Sequence, residues 1–197
     1  MTKRPYTLRK RAESKDETRA RIVAATMALH EAVGPKQTTI SGIAERAGVQ
    51  RLTVYRHFSD ETALFHACTS HWLSLNPPPL LSDWSGIADP PARCRAALRA
   101  LYGYYRRTRR MWTTAHRDEA EVAAMQEPMA KFRRYLDSIR DDLLRALAPG
   151  KRERAAVVAT LRHALTFTTW VSLSEDGLSD DAMADLVMGW LVGVRSP

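Results

Sequence analysis

Residues 38–58 read TTISGIAERAGVQRLTVYRHF, with Thr39 ahead of the first apolar residues and Gly48 near the middle. A threonine side chain can accept a hydrogen bond from the free backbone N–H groups at a helix start, so Thr39 predicts an N-cap for a helix over 40–47. Glycine adopts the left-handed backbone conformation easily, which predicts that this helix ends at Gly48. The residues that follow predict a further helix over 51–58. The segment therefore indicates two short helices joined by a tight glycine turn.

The side chains of these two helices divide into an inner and an outer set. Ala44 and Ala47 are small, so the helices can cross closely, and Val49, Val54 and Phe58 are predicted to face one core. The positions left to face outward are Gln50, Arg51, Leu52, Thr53, Tyr55, Arg56 and His57. A thin helix with this polar outer face fits the major groove of B-DNA, which is about 12 Å wide.

Apolar residues recur at helical spacing through the rest of the chain, and no segment has the alternating pattern of a strand. Ser14 and Glu17 form a capping-box pattern, which predicts that the first helix begins at Ser14 and ends before Gly34. Acidic Asp60 and Glu61 favour a helix start at that point. The further predicted helices cover about 60–72, 92–106, 111–124, 128–147, 151–173 and 180–194. We therefore predict an all-α fold.

Positive charge is concentrated near the N-terminus. Residues 1–60 contain twelve Lys or Arg against six Asp or Glu, whereas residues 61–197 contain eighteen against sixteen. Residues 1–13 resemble a mobile basic arm. A basic module on a nearly neutral body indicates a polyanionic partner, with nucleic acid ahead of an anionic membrane. We predict domains over 1–60 and 61–197.

Several classes of protein are disfavoured by what the sequence lacks. Cys68 and Cys94 have no zinc or redox spacing and are interpreted as buried thiols. His116, Asp118 and Glu121 could bind a metal, but we interpret them as a charged, solvated surface because no matching cluster lies elsewhere. No phosphate loop, nucleophile elbow or dinucleotide fingerprint occurs, so neither a cofactor nor an enzymatic activity is expected. No apolar run reaches the roughly 18 residues of a membrane helix, and no signal peptide is recognised, so a cytoplasmic protein is expected.

The segment from about residue 14 to 72 resembles the TetR family of transcriptional regulators. The matching residues are Thr39, Ile43, Ala44, Ala47, Gly48, Val49, Thr53, Tyr55, His57, Phe58, Ala63 and Leu64. The resemblance implies an N-terminal three-helix module with a helix-turn-helix, followed by a helical domain that binds an effector and forms a dimer.

The resemblance also implies that Thr53, Tyr55 and His57 anchor the DNA backbone and that the third helix contacts bases. Residue chemistry agrees, because Arg51 or Arg56 can donate two hydrogen bonds to guanine and Leu52 can contact a thymine methyl group. The candidate DNA contacts are Thr39, Gln50, Arg51, Leu52, Thr53, Tyr55, Arg56 and His57. Alternatively, Tyr55 is a core aromatic residue and His57 a packing or capping histidine.

Two positions depart from the family pattern. Gln50 stands where the family often has a capping serine, and Glu61 where it often has a lysine. Glu61 cannot contact a phosphate group and would repel nearby DNA. We expect the basic N-terminal residues to compensate.

The second domain is expected to bind a small effector and to pair with a second copy. The predicted effector pocket comprises Tyr102, Tyr105, Trp112, His116, Met125, Met129, Phe132, His163, Phe167 and Trp170, although each of these taken singly is more typical of a core residue. The predicted dimer interface comprises Val158, Leu161, Leu165, Met183, Leu186, Val187 and Trp190. These residues belong to two terminal segments, 155–173 and 182–194, that are apolar on more than one face.

The sequence thus favours a repressor that binds a palindromic DNA operator as a homodimer and is released by a small-molecule ligand. The alternative is a TetR-like regulator without such a ligand, which acts as an activator or responds to a protein. A third class is a helical enzyme with an incidental basic segment.

Overall fold

The computed structural model describes the backbone of residues 4–195 and the side chains from residue 13 onward. Its α-helices are α1 (Arg4–Ala32), α2 (Ile40–Ala47), α3 (Arg51–His57), α4 (Glu61–Leu75), α5 (Ser82–Ser85), α6 (Pro90–Asp118), α7 (Gln126–Leu147), α8 (Arg154–Ala164), α9 (Phe167–Glu175) and α10 (Asp180–Gly193). Short 3-10 helices cover Pro35–Gln37 and Ala123–Met125. Because the described residues contain no strand, the prediction of an all-α fold is confirmed.

The chain forms two compact units. The first contains the residues up to Pro77 together with Thr113–Pro128, and the second contains Pro78–Trp112 with the residues from Met129 onward. The core of the first unit comprises Ile22, Val23, Ala25, Ile40, Ile43, Ala44, Ala47, Val54, Phe58 and Leu64. These residues come from α1 to α4, so the first unit packs its short helices on the apolar face of α1. A functional boundary at residue 60 stays a prediction.

The start of α1 was predicted wrongly. The helix begins at Arg4 rather than at Ser14, so Ser14 lies inside α1 and caps nothing. Its backbone carbonyl instead accepts a hydrogen bond from the Thr18 hydroxyl, 2.9 Å away, one helical turn later. Most of the predicted arm over 1–13 is therefore helical, while Met1–Lys3 lie outside the described residues. Lys and Arg are good helix formers, which is why a basic segment can extend a helix.

Two further predictions about helix boundaries were wrong. The predicted helices over 92–106 and 111–124 are largely one helix, α6, which ends at Asp118. The predicted helix over 151–173 is broken at Leu165 and Thr166. There the Tyr102 and Tyr105 hydroxyl groups donate to the carbonyl oxygens of Ala164 and Leu165, at 2.9 and 2.8 Å. These tyrosines satisfy carbonyls that a helix end leaves without partners, so the break depends on residues distant in sequence.

Candidate nucleic-acid interface

The short helices α2 and α3 are fixed by local contacts. The Thr39 hydroxyl accepts a hydrogen bond from the Gly42 backbone N–H at 3.1 Å, so Thr39 is the predicted N-cap of α2. Gly48 has φ 65° and ψ 41°, the left-handed conformation predicted for the turn. Gln50 precedes α3 without a side-chain capping bond, in agreement with the departure noted from the sequence. The turn geometry therefore rests chiefly on Thr39 and Gly48.

Helix α3 is anchored on one side and open on the other. Val54 is 1% exposed and Phe58 is 5% exposed, so both belong to the core, as predicted. On the opposite face, Leu52 is 69% exposed and Tyr55 is 44% exposed. A large apolar side chain that exposed has no packing role in this copy of the chain. The interpretation of Tyr55 as a core aromatic residue is therefore wrong.

All of the residues predicted to contact DNA are at least partly exposed to solvent. Thr39, Gln50, Arg51, Leu52, Tyr55 and Arg56 are exposed, and Thr53 and His57 are half-buried. They line the N-cap of α2 and the outer face of α3. The structure thus brings the set together, while the role of each residue in binding DNA stays a prediction.

Positive side chains from α1 surround this face. The Arg19 guanidinium lies over the Phe58 ring at 4.9 Å, and Arg21 approaches the turn, with its Nη1 atom 3.9 Å from the position that a Cβ would take at Gly48. Burial lowers the pKa of His57, and the nearby Lys15, Arg56 and Arg19 charges lower it further. This local potential favours a phosphate group. Sequence reasoning missed the contribution of α1, although the spacing of Lys15 and Arg19, four residues apart, places them on one helix face.

The loop between α1 and α2 is held by the end of α6, within the same unit. The Asp118 carboxylate is 1% exposed and accepts a hydrogen bond from the Lys36 backbone N–H at 3.0 Å. Arg117 bonds to Asp118 at 2.7 Å and donates to the Val33 carbonyl at 2.6 Å. The prediction of a solvated surface is therefore wrong for Asp118. Among the described residues, no group of three His, Cys, Asp or Glu side chains could hold a metal ion.

Some of the residues predicted for the effector pocket lie close together. In the second unit, Tyr105, Trp112, Phe132, Phe167 and Trp170 form a cluster of rings with centroids 4.1 to 6.3 Å apart. Tyr104 joins this cluster, which sequence reasoning missed. The α6 spacing from Tyr104 to Trp112, about two turns, could have indicated it.

Other predicted pocket residues lie elsewhere. Tyr102 and Met129 are buried in the second unit, whereas His163 is exposed there. His116 and Met125 belong to the first unit, so they are not part of the aromatic cluster. A pocket role for these residues stays a prediction.

The predicted dimer residues fall into two groups. Leu161, Leu165, Met183 and Val187 are at most 1% exposed within a single copy. These four side chains pack in the core of a single copy and are not exposed for an interface. Leu186 is 39% exposed, and Val158 and Trp190 are half-buried. These three can still form a surface on α8 and α10 for a second copy. The two buried cysteines, Cys68 and Cys94, are free thiols, as predicted.

Helix α2, the left-handed turn at Gly48 and the exposed helix α3 have the arrangement of a helix-turn-helix within an all-α fold. Residues 22–68 match the family model described as bacterial regulatory proteins, tetR family. The segment over 22–68 is therefore similar to this family, in agreement with the resemblance stated from the sequence. The matched residues include α2, α3 and most of α4.

Solved structures share this fold along nearly the whole chain. A TetR-like transcriptional regulator from Rhodococcus sp. RHA1 has a TM-score of 0.62 at 16% identity, with 91% of this chain and 97% of that chain covered. NalD, the secondary repressor of the MexAB-OprM multidrug efflux pump in Pseudomonas aeruginosa, has a TM-score of 0.61 at 21% identity, with 91% and 96% covered. FadR from Bacillus subtilis, in complex with stearoyl-CoA, has a TM-score of 0.56 at 17% identity, with 90% and 97% covered. At these identities the common property is the fold.

No curated protein matches this chain in sequence. Within the described residues, no helix combines the length and apolar character needed to cross a membrane.

Proposed function

We propose that this chain is a TetR-family regulator, a sequence-specific DNA-binding repressor that a small-molecule ligand releases from a palindromic operator. The observation that carries the proposal is the outer face of α3. Arg51, Tyr55 and Arg56 are exposed there, while Val54 is buried beneath them. A short helix with a fixed inner face can present its outer side chains to base edges with little loss of conformational entropy.

Each exposed group has a distinct proposed task. Arg51 and Arg56 donate to guanine in the major groove, where each bidentate contact is worth about 1–3 kcal/mol of discrimination. Tyr55, Thr53 and His57 donate to phosphate oxygens, which sets the register of the protein on the duplex. Leu52 contacts a thymine methyl group. Thr39 and Gln50 lie at the starts of α2 and α3, where phosphate groups approach the positive helix ends.

The proposed repressor acts as a homodimer. A two-fold dimer places two copies of α3 in successive major grooves, with half-sites about 34–36 Å apart. The exposed apolar side chain of Leu186, together with Val158 and Trp190, supports an interface on α8 and α10. A self-complementary apolar surface of this kind is what a two-fold interface buries.

The effector is proposed to bind near the aromatic cluster of the second unit. One support is the concentration of aromatic rings around Tyr105 and Trp170. A second is the fold shared with NalD, which is described as a repressor, and with FadR, which was solved in complex with stearoyl-CoA. An apolar, aromatic lining is typical of small-molecule sites. The alternative is a regulator without a small-molecule effector, either an activator or a protein-responsive factor. The third class of protein considered from the sequence is a helical enzyme, and no catalytic grouping of residues recognised in the sequence supports it.

The test is selection of bound duplexes from a random-sequence DNA library by the purified full chain. Enrichment of an inverted repeat with half-sites one helical turn apart is expected. Binding that stays independent of sequence would contradict the proposal.

A thermal-shift screen of small metabolites, followed by operator binding with each hit, separates the two regulator classes, because a ligand stabilises the state that it binds. A hit that lowers operator affinity supports the repressor, and a hit without effect on DNA supports the alternative.

A further inference from the structure

An open cavity of about 390 Å³ lies within the first unit. Its walls come from α1, the loop after α1, α2, α4 and the segment over 121–124. This volume lies within the range of small-molecule binding sites. The cavity is separate from the outer face of α3 and from the aromatic cluster of the second unit, because its lining contains none of their residues.

Part of the cavity wall is apolar. Ile40 is 7% exposed and Leu64 is 2% exposed, so both are core residues that also border the cavity. Phe65 is half-buried, and its ring lies 5.4 Å from the His30 ring between centroids. Val122 lines the cavity from the segment that follows α6. These side chains can enclose a compact apolar group, and the face of Phe65 can also attract a cation.

The charged part of the lining has an excess of negative charge. It contains two carboxylates, Glu61 and Glu121, against one ammonium group, Lys36. The Lys36 Nζ and Glu121 Oε2 atoms are 2.5 Å apart, so these two charges neutralise each other. Within the part of the chain that the structure describes, Glu61 has no ion-pair partner. One uncompensated carboxylate therefore borders a cavity in a unit that is otherwise basic.

An anionic ligand does not fit this lining. The start of α4 would attract an anion, but the Asp60 carboxylate already accepts the Ala63 backbone N–H there, at 2.7 Å. Glu61 in the first turn of α4 adds a second negative charge. The Lys36 ammonium group is paired with Glu121. A ligand of the opposite charge gains from Glu61 and displaces no existing contact.

We propose that this cavity binds a small organic cation, a protonated amine attached to a compact apolar body. The ammonium group lies at Glu61, and the apolar body lies against Phe65 and Ile40. The proposal gives a role to Glu61, where the family often has a lysine. It goes beyond the proposed function, and its test needs no DNA.

The probe is phenethylamine, which is protonated at neutral pH, titrated into the ¹⁵N-labelled full chain and followed by amide chemical shifts. Saturable shifts at Thr62, Phe65 and Lys36 are expected, with a dissociation constant in about the millimolar range for so small a ligand. Phenethyl alcohol and 3-phenylpropionate carry a similar body without the positive charge and are expected to bind more weakly. Equal binding of the alcohol, or shifts confined to other residues, would overturn the proposal.

Variants at Glu61 test the charge directly, and their exposed position leaves the core intact. Glu61→Gln is expected to weaken phenethylamine binding about two- to five-fold, the range for a solvent-exposed ion pair. Glu61→Lys is expected to reverse the preference, so that 3-phenylpropionate binds better than phenethylamine. Glu17→Gln removes an exposed carboxylate of the same unit that does not line the cavity, and it should change neither affinity. Unchanged affinity in Glu61→Gln would overturn the assignment.

Discussion

The backbone N–H of Lys36 donates a hydrogen bond to the Asp118 carboxylate, which lies 3.0 Å away and 82 positions later in the chain. This contact ties the loop after α1 to the end of α6. Arg117 holds the pKa of Asp118 below its usual value, so the carboxylate stays ionised and keeps its two partners. The loop leads directly into the Thr39 cap of α2. The position of the proposed DNA-contacting helices thus depends on a side chain far outside the helix-turn-helix.

Gly34→Ala should destabilise the protein by about 2–4 kcal/mol. Gly34 has φ 91° and ψ 160°, a region that is essentially restricted to glycine. A Cβ at Gly34 would also overlap Arg117 Nη2 and Asp118 Oδ2, so the contact between Asp118 and Lys36 would be strained or lost. Urea unfolding followed by circular dichroism measures the change.

The matched control is Gly48→Ala in the same unit. Gly48 also has a positive φ of 65°, but among the described side chains a Cβ there would meet only Arg21 Nη1, at an ordinary 3.9 Å. This variant should lower the free energy of unfolding by about 1–2 kcal/mol, from backbone strain alone. If the two variants lower the free energy of unfolding by the same amount, the close approach of Arg117 and Asp118 to Gly34 does not contribute to the effect of Gly34→Ala.

The stability of the protein should fall as the pH is lowered from 7 to 5, partly because of His30. Burial lowers the pKa of His30 from 6.5 to about 4, although the Asp118 charge partly opposes the shift. Because the folded pKa lies below the unfolded one, the contribution of neutral His30 is complete above pH 6.5 and is lost as the pH falls towards 4. The linkage relation predicts that the free energy of unfolding falls by about 2 kcal/mol between pH 7 and pH 5 because of His30.

His30→Gln should flatten this part of the profile of unfolding free energy against pH. His71→Gln, at an exposed position of α4, serves as the control and should keep the slope of the unchanged protein. A slope that persists in His30→Gln would assign the acid sensitivity to carboxylates instead.

Leu186→Lys should yield a folded monomer with weak operator binding. Leu186 is 39% exposed in one copy, so a charge there leaves the core intact but opposes burial against a second copy. Leu165→Glu is expected to unfold the second unit, because Leu165 is 1% exposed. Sedimentation and circular dichroism distinguish these outcomes. A dimer of unchanged affinity in Leu186→Lys would place the interface elsewhere.

Local signals predicted α2, α3 and the start of α4 well, although the local capping pattern at Ser14 misplaced the start of α1. The α2 bounds, the Thr39 cap, the left-handed Gly48 and the Asp60 start of α4 all depend on residues within a few positions of one another. The outward face of α3 followed from the same short-range periodicity. For this reason the exposure of this face could be predicted from the amino-acid sequence, while its contacts with DNA stay a prediction.

Long-range contacts limited the remaining predictions. The break between α8 and α9 depends on Tyr102 and Tyr105, whose hydroxyl groups reach carbonyls 62 and 60 positions later. Asp118 has the sequence context of a surface acid, yet it is buried by its bonds to Arg117 and Lys36. Periodicity within a helix cannot show such partners, and for the same reason it did not separate buried from exposed apolar residues on α8 and α10.

The central claim is that the exposed face of α3 recognises a specific DNA sequence, and Arg51→Ala tests it most directly. Fluorescence anisotropy of the selected operator and of a scrambled duplex, at one salt concentration, measures both affinities. Arg51→Ala should weaken the free energy of binding to the operator by about 1–3 kcal/mol and relax selectivity at one base pair. Arg152→Ala, an exposed arginine of the second unit, should bind as the unchanged protein does. If Arg51→Ala binds the operator as tightly and as selectively as the unchanged protein, α3 is not the recognition helix.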